Sequence, residues 1–324
     1  MMSVSRSTSA QAILWVVIAS VPGLCAEKAA ERVYVGSGKC IGCHRELQPA
    51  IVQGWQRSAH RRAMTVLRPE DPSPDRVPWP PSLKREDARA ILGRSDGEYV
   101  FMTRDFRVIP SPAWRREEPH APHDVIGVPG RPVDASRQCL GCHSTGYSVS
   151  RKAFAEPGVA CEACHGPGSR HVESPSDKGT IIHPGKLPLD RGRMVCGQCH
   201  SLGKDPSGNH PFPVLGTGDA VRPFLPGDDL ALAFVDARPV LVRKGWEYSL
   251  LVRSSERYSG QRCTGCHDPH GKTAHPSMLL DPTSETCLRC HGVGDARLRY
   301  ENHWGLGDVI QRPCWECHPN AHSH

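Results

Sequence analysis

Apolar positions along this chain form only a few regular patterns, and each pattern is short. A continuous apolar run covers residues 10–26. Ile51, Trp55 and Ala59 then recur at the spacing of one helix face, which predicts a helix across this segment. Polar and apolar residues alternate over residues 96–109, and this alternation predicts a β-hairpin. The remaining chain is expected to form short helices and turns.

The apolar run near the N-terminus has the pattern of a secretory signal peptide. Arg6 is the only charged residue before Glu27, and the run ends in small residues near Ala26. A proline and a glycine interrupt the run, which is short for a membrane span, although an uncleaved anchor is the alternative reading. We therefore expect residues 1–26 to be a signal peptide and the mature chain to be exported, to the periplasm or the outer cell surface.

The composition is unfavourable for an ordinary side-chain core. Mean hydropathy is −0.45, only 6% of the residues are aromatic, and the chain contains 31 glycines and 30 prolines. Such a chain buries too little apolar surface to offset the conformational entropy that folding removes. Other apolar material is therefore expected inside the fold.

The cysteines follow a single repeated pattern. There are 15, of which Cys25 lies in the predicted signal peptide, and the others form seven C-x-x-C pairs that are each followed directly by a histidine. A thioredoxin-like site needs one pair, structural zinc does not require the adjacent histidine, and disulfides would not explain it. The sequence C-x-x-C-H attaches c-type haem. The chain is therefore predicted to bind seven c-type haems, whose apolar macrocycles would form the core.

Each motif assigns three residues to one haem. Both cysteines form thioether bonds to the porphyrin, and the histidine binds the iron as the proximal ligand. The predicted thioether residues are Cys40, Cys43, Cys139, Cys142, Cys161, Cys164, Cys196, Cys199, Cys263, Cys266, Cys287, Cys290, Cys314 and Cys317. The predicted proximal ligands are His44, His143, His165, His200, His267, His291 and His318.

The remaining histidines are numerous enough to supply second axial ligands. Of the 18 histidines, seven belong to the motifs. The excess predicts bis-histidine irons, a closed coordination that suits electron transfer. The candidate distal ligands are His60, His171, His270, His303, His322, His183 and His210. Methionine is an alternative sixth ligand, but core packing explains the methionines more simply.

Five blocks follow one another along the mature chain: "CHRELQPAIVQGWQRSAHRRAM", "GVACEACHGPGSRHV", "RGRMVCGQCHSL", "RPFLPGDDL" and "CTGCHDPHG". Together they resemble the multihaem c-type cytochromes related to the cytochrome c-554 family. The resemblance implies a periplasmic or outer-surface electron carrier, with haems stacked in close pairs and mostly bis-histidine irons. It also implies distal roles for His60, His171 and His270.

The chain departs from the family pattern at two places. Relatives often have asparagine at the position of His183, so a ligand role there is not inherited. Relatives also commonly carry a histidine shortly before the "CTGCHDPHG" block, where this chain has Arg257 and no histidine. This departure leaves one haem without an expected sixth ligand, and an open iron is where catalysis would occur.

These observations predict a fold that is mainly α-helix and irregular coil wrapped around stacked haems, with a small β-hairpin insertion near residues 95–130. Residues 27–204 would form an N-terminal four-haem region, and residues 236–324 a C-terminal three-haem region. Residues 205–235 are rich in glycine and proline and would form a linker or surface loop.

The formal charge of +6 does not indicate a nucleic-acid partner. Seven haems would add about fourteen propionate groups, so the charge of the polypeptide alone is misleading. The segment "GTGDAV" lacks the third glycine of a dinucleotide-binding loop. We therefore expect neither nucleic acid nor a nucleotide to be bound.

Three functions fit the sequence. The first is an electron carrier that passes single electrons between redox proteins, some of them membrane-bound. The second is a multihaem oxidoreductase with one five-coordinate haem, acting on a small nitrogen or sulfur compound. The third is a subunit of an extracellular haem filament or outer-membrane conduit, which requires self-association. The carrier is favoured over the enzyme because all seven motifs end in histidine.

Overall fold

The computed structural model describes residues 32–68, 78–93, 99–112, 132–216, 220–236, 248–249 and 260–273, together with 275, 277–281, 283, 285, 287 and 288. The predicted signal peptide, most of the sixth motif and the whole seventh motif lie outside the described residues. Arg257, His303 and His322 lie outside them as well. Among the described residues, no helix has both the length and the apolar character needed to cross a membrane.

The helices are short, and most of them carry or flank a C-x-x-C-H motif. The α-helices are α1 Ser37–Leu47, α2 Pro49–Arg57, α3 Ala135–Gln138, α4 Leu140–His143, α5 Cys161–His165, α6 Ser169–Glu173, α7 Leu189–Gly197 and α8 Leu230–Ala233. Single 3₁₀ turns cover Arg85–Asp87, Lys178–Thr180, Pro184–Lys186 and Cys263–Gly265. Helices this short depend on tertiary contacts for their stability.

Helix α2 forms where apolar periodicity predicts it. Pro49 occupies the first helical position, where its missing N–H costs no hydrogen bond. The buried face carries Val52, Gly54 and Trp55, and the indole N–H of Trp55 donates to the carbonyl oxygen of Val159 at 3.0 Å. This bond ties α2 to the segment that precedes the third motif.

The predicted β-hairpin is present and belongs to a larger sheet. Strand β3 (Tyr99–Thr103) pairs antiparallel with β4 (Val108–Pro110). Two earlier strands extend the sheet to the order β1-β2-β3-β4, namely β1 (Met64–Val66) and β2 (Ala88–Gly93). The sheet therefore begins before residue 95, where the predicted β insertion starts. Strands β1 and β2 were not predicted, because they are short and their apolar residues follow no clear alternation.

Both faces of this sheet are covered. Val100 and Met102 face a cluster that also contains Cys139 and Leu140 of the second motif. Phe101, one residue out of phase, packs on the opposite face with Leu83 and Trp79. The sheet thus provides a small conventional core beside the second motif.

Three further antiparallel ladders are only two residues long. They pair β5 (Ser144–Thr145) with β6 (Glu156–Pro157), β7 (Gly203–Lys204) with β10 (Val235–Asp236), and β8 (Val214–Leu215) with β9 (Arg222–Pro223). The described architecture is a set of short helices with a few small sheets, in partial agreement with the expected mainly helical fold.

Candidate haem-binding sites

Each described motif forms a helical turn that brings its three functional residues together. The first motif lies within α1, the second spans the start and end of α4, and the third is α5 itself. The fourth begins in the last turn of α7, and the fifth in the turn Cys263–Gly265. In a helix, residues three and four positions apart share one face. The second cysteine and the histidine are therefore on the same side as the first cysteine.

The described cysteines are free thiols and form no disulfides with one another. This matters because two cysteines in a C-x-x-C turn must both be available to bond the same porphyrin. Disulfide pairing, an alternative for an exported chain, is not what the described part of the fold contains. The thiols therefore fit thioether attachment.

Hydrogen bonds orient the proximal histidines through one ring nitrogen. The Nδ1 atom of His143 is 2.7 Å from the carbonyl oxygen of Ala63, and that of His165 is 2.8 Å from the oxygen of Ile182. The Nδ1 atom of His267 is 2.9 Å from the oxygen of Ser277. A carbonyl can only accept, so Nδ1 carries the proton in these bonds. The Nε2 lone pair is left for a metal.

Three of the predicted proximal histidines lie close to a second histidine. The ring centroids are 6.4 Å apart for His44 and His171, 6.3 Å for His165 and His270, and 6.4 Å for His200 and His60. Two imidazoles on opposite sides of one metal have centroids about 6 Å apart, because each metal–nitrogen bond is about 2 Å and each nitrogen is roughly 1 Å from its ring centre. The observed separations match this span. Each of the three distal candidates that the family resemblance implied thus lies close to a different motif histidine.

Burial favours the neutral form of three of these rings, which ligand binding requires. Desolvation and, second, the nearby ring of His200 lower the pKa of His60 to about 4, against a contact from Nδ1 to the carbonyl oxygen of Pro269. Desolvation also lowers the pKa of His165 and of His270. A neutral imidazole presents a lone pair to the metal, whereas a protonated one cannot.

His183 lies beside a ring that already faces His270. Its centroid is 6.5 Å from that of His165, with the two planes at 82°. The preceding residue, Ile182, accepts the Nδ1–H bond of His165, which explains why His183 is held nearby. The His270 ring is nearly parallel to that of His165, at 19°, so His183 and His270 approach the His165 ring in different orientations.

His210 has a different environment. Its Nδ1 atom is 3.2 Å from the Oδ2 atom of the buried Asp205, and its ring packs at 5.2 Å from that of Phe212. Phe212 in turn lies against the second motif, where a Cβ atom on Gly141 would meet it at 2.2 Å. Among the described residues, His210 is therefore fixed by a carboxylate beside the second motif, without facing one of the motif histidines.

Neighbouring motifs are in direct contact. The N–H of Cys161 donates to the Oγ atom of Ser37 in α1 at 3.4 Å, and the Nε–H of Arg193 in α7 donates to the carbonyl oxygen of Gln261, just before the fifth motif, at 2.7 Å. The neighbouring thiols of Cys161 and Cys263 raise the pKa of Cys40 and Cys196, respectively, in the free thiol form, with burial as the second cause. The first motif thus lies next to the third, and the fourth next to the fifth.

The fourth motif also contacts the second and the third. The Sγ atom of Cys142 is 3.9 Å from the carbonyl oxygen of Gln198, and the Sγ atom of Cys199 is 4.0 Å from the carbonyl oxygen of Cys142. The side-chain amide of Gln198 donates to the carbonyl oxygen of Ala163 at 3.0 Å. Five motifs that are far apart in sequence therefore form one connected group.

Glu162 is a functional candidate that the sequence reasoning missed. It occupies the first variable position of the third motif, and its side chain is buried within that turn. An acidic residue between two haem-attaching cysteines is the only sequence signal it offers.

Comparison with known proteins gives partial matches to cytochromes. The family described as "Cytochrome c554 and c-prime" matches residues 114–166, and the "Doubled CXXCH motif" family matches residues 257–296. The multiheme cytochrome MtrA of Shewanella baltica (strain OS185) is 26% identical over 175 residues, covering 47% of this chain and 51% of the relative. Cytochrome c-554 of Nitrosomonas europaea is 25% identical over 146 residues, covering 43% and 41%. The chain thus spans about half the length of the curated relatives it matches.

Comparison with solved structures gives two matches of low score. The outer cell wall cytochrome OcwA has a TM-score of 0.49 at 20% identity, covering 80% of this chain and 67% of the other. An undecaheme cytochrome from the S-layer of Carboxydothermus ferrireducens has a TM-score of 0.46 at 18% identity, covering 81% and 43%.

Three features of these sites fit c-type haem. The cysteines of each described pair are free thiols, and motif histidines such as His143 and His165 bond a backbone carbonyl through Nδ1. Burial also lowers the pKa of His60, the histidine close to His200. The family matches cover the second and third motifs and the segment around the fifth and sixth. The motifs and these matches support binding of c-type haems, and they show that the chain is similar to multihaem c-type cytochromes, including the cytochrome c-554 family.

Proposed function

We propose that the protein is an exported heptahaem cytochrome that passes single electrons between redox proteins of the periplasm or cell surface. The observation that carries the proposal is the set of three histidine pairs separated by 6.3–6.4 Å. When both axial positions are taken by imidazole, the iron has no position left for a substrate. A bound c-type haem then supplies one-electron chemistry.

The polypeptide would hold, orient and shield the haems. The cysteines of each motif anchor the porphyrin, and the carbonyl oxygens of Ala63, Ile182 and Ser277 fix the proximal rings through Nδ1. Buried rings such as His60 stay unprotonated in the physiological range. These interactions hold the coordination constant while the iron changes charge, which is the requirement for rapid electron transfer.

The contacts between motifs support passage along a series of sites. Cys40 contacts Cys161, and Cys196 contacts Cys263, so the attached edges of the corresponding porphyrins would be close neighbours. The amide of Gln198 links the third and fourth motifs. A protein with this organisation can accept an electron at one part of its surface and release it at another.

An oxidoreductase is the second candidate, and one observation favours it. Within the described part of the chain, the ring of His143 does not face a second histidine as His44, His165 and His200 do. Its pKa is lowered by burial, and its Nδ1 atom is bonded to Ala63. If the sixth position of that iron is open, a small nitrogen or sulfur compound can bind there.

The two functions are separated by spectroscopy of the purified holoprotein. Mass spectrometry first counts the covalently bound haems, with seven expected. Electron paramagnetic resonance of the oxidised protein, with an optical carbon monoxide titration, then tests each iron. The carrier proposal expects only low-spin signals and no carbon monoxide binding. A high-spin signal with binding of carbon monoxide by one haem contradicts it and favours the oxidoreductase.

A further inference from the structure

Glu162 is a buried residue of the third motif that lies against the start of α1, the helix of the first motif. Its side chain is 2% exposed, and it accepts hydrogen bonds only from backbone N–H groups. Oε1 accepts from Val35 at 2.9 Å and from Gly168 at 2.7 Å. Oε2 accepts from Val35 at 3.1 Å and from Gly36 at 2.8 Å. Both oxygens act as acceptors, which is the bonding pattern of an ionised carboxylate.

These donors lie at the starts of the two helices that carry one histidine pair. Gly36 is the N-cap residue of α1, and Gly168 is the N-cap residue of α6. Helix α1 contains His44 and helix α6 contains His171, whose ring centroids are 6.4 Å apart. The Glu162 carboxylate therefore links the N-terminal ends of helices α1 and α6.

A second pair of bonds strengthens the same connection. The N–H of Val33 donates to the Oγ atom of Ser169 at 3.0 Å, and the N–H of Ser169 donates to the carbonyl oxygen of Val33 at 3.2 Å. Residues 33–36 thus run along the start of α6 and lead directly into α1. Bonds to an ionised acceptor are about twice as strong as neutral ones, so Glu162 is the dominant member of this group.

The carboxylate also places a negative charge in a region from which water is excluded. A negative charge favours the oxidised iron, which carries one more positive charge than the reduced iron. At about 10 Å and an effective dielectric constant of about 20, a unit charge changes an equilibrium roughly tenfold. Glu162 is within the third motif and bonded to the N-cap of α1, so its charge would act on the haems of both the first and the third motif, of which the first is the one whose helices it also positions.

We propose that Glu162 is a positioning residue that sets the geometry of the His44–His171 pair and lowers the reduction potential of the haem held between them. The inference rests on the proposed bis-histidine ligation. That ligation is tested on the wild-type protein, where a high-spin first haem would refute it. Glu162 is tested on variants of a protein that has passed this first test.

The experiment compares three variants of the full-length holoprotein by redox titration with electron paramagnetic resonance detection. E162Q removes the charge and retains the shape, and E162D keeps the charge and shortens the reach. E156Q is the matched control, because the Glu156 side chain also accepts from an N–H of α1, that of Ser37 at 2.8 Å, but is only half-buried and makes no bond to α6 among those of the described residues. The H171A variant identifies the signal of the first haem by its disappearance.

E162Q is expected to raise the ratio of reduced to oxidised first haem about tenfold at a fixed potential, which equals about 59 mV for one electron. E162D is expected to change the g-values of the same haem with a smaller shift in potential. E156Q should give a clearly smaller shift in potential and wild-type g-values, because water screens the charge of the half-buried Glu156.

Wild-type potentials in E162Q, wild-type g-values in E162D, or an equal shift in E156Q would each overturn the proposal. If E162Q does not mature, the g-values of E162D decide, and an unchanged spectrum counts against the role of Glu162.

Discussion

Replacing Gly54 by alanine should destabilise the protein and disturb one histidine pair. Gly54 lies on the buried face of α2, and a Cβ atom there would be 2.6 Å from the carbonyl oxygen of His270 and 2.9 Å from the N atom of Lys272. Both are backbone atoms, so they cannot rotate away as a flexible side chain would. Helix α2 and the His270 loop would have to separate.

The magnitude follows from two opposing terms. Overpacking of a tight contact costs about 1–3 kcal/mol, and contact with the backbone favours the upper part of that range. Alanine in a helix is favoured over glycine by about 1 kcal/mol. The net loss for G54A is therefore about 2 kcal/mol.

Guanidinium unfolding followed by circular dichroism measures this loss, and electron paramagnetic resonance reports the His165–His270 haem in the same samples. G38A is the control, since Gly38 is also helical but has no atom within 4 Å of its Cβ position. G38A should be as stable as wild type or slightly more so. A G54A protein of wild-type stability with an unchanged spectrum would refute the close-contact reasoning.

Three further predictions follow from burial and hydrogen bonding. The pKa of the free His60 ring is lowered to about 4, so its contribution to stability is complete above about pH 6.5 and is lost as the pH falls toward 4. Guanidinium unfolding at a series of pH values should show this loss, and a stability that does not change between pH 6.5 and 4 would contradict it. Burial and, second, the charge of Glu162 raise the pKa of Tyr34 to about 12. The stability of the wild type should therefore fall between about pH 10 and 12, and Y34F should lose less over this range. Equal alkaline unfolding curves for the two proteins would contradict the prediction. W55F removes the bond from the indole N–H to the oxygen of Val159 and should lower the unfolding free energy by about 1–3 kcal/mol, whereas no loss would mean that the carbonyl finds another donor.

Local features of the fold could be predicted, because they depend on neighbours in sequence. Alternation over Tyr99–Ile109 predicted the hairpin of β3 and β4, and the spacing of Ile51 and Trp55 predicted α2. The short strands β1 and β2 escaped notice, since three to six residues of mixed pattern do not establish a period.

Long-range pairings could not be predicted from periodicity. The sequence supplied the motif histidines and a set of candidates, but it did not say that His44 faces His171 or that His200 faces His60. Glu162 was missed for the same reason, because its partner Val35 is 127 residues away. The ligand roles of His303 and His322, which lie outside the described residues, stay predictions.

The bonds between residues 33–36 and Glu162 have a consequence for the order in which the protein matures. The residues that complete the first site are separated by 127 positions, so closing this loop is a late and entropically costly event. A chain that emerges from its N-terminus presents Cys40 and Cys43 long before His171. If the first haem has the proposed bis-histidine ligation, it therefore acquires its second ligand only after the third motif has been synthesised. Until then one face of that haem would be open to small ligands.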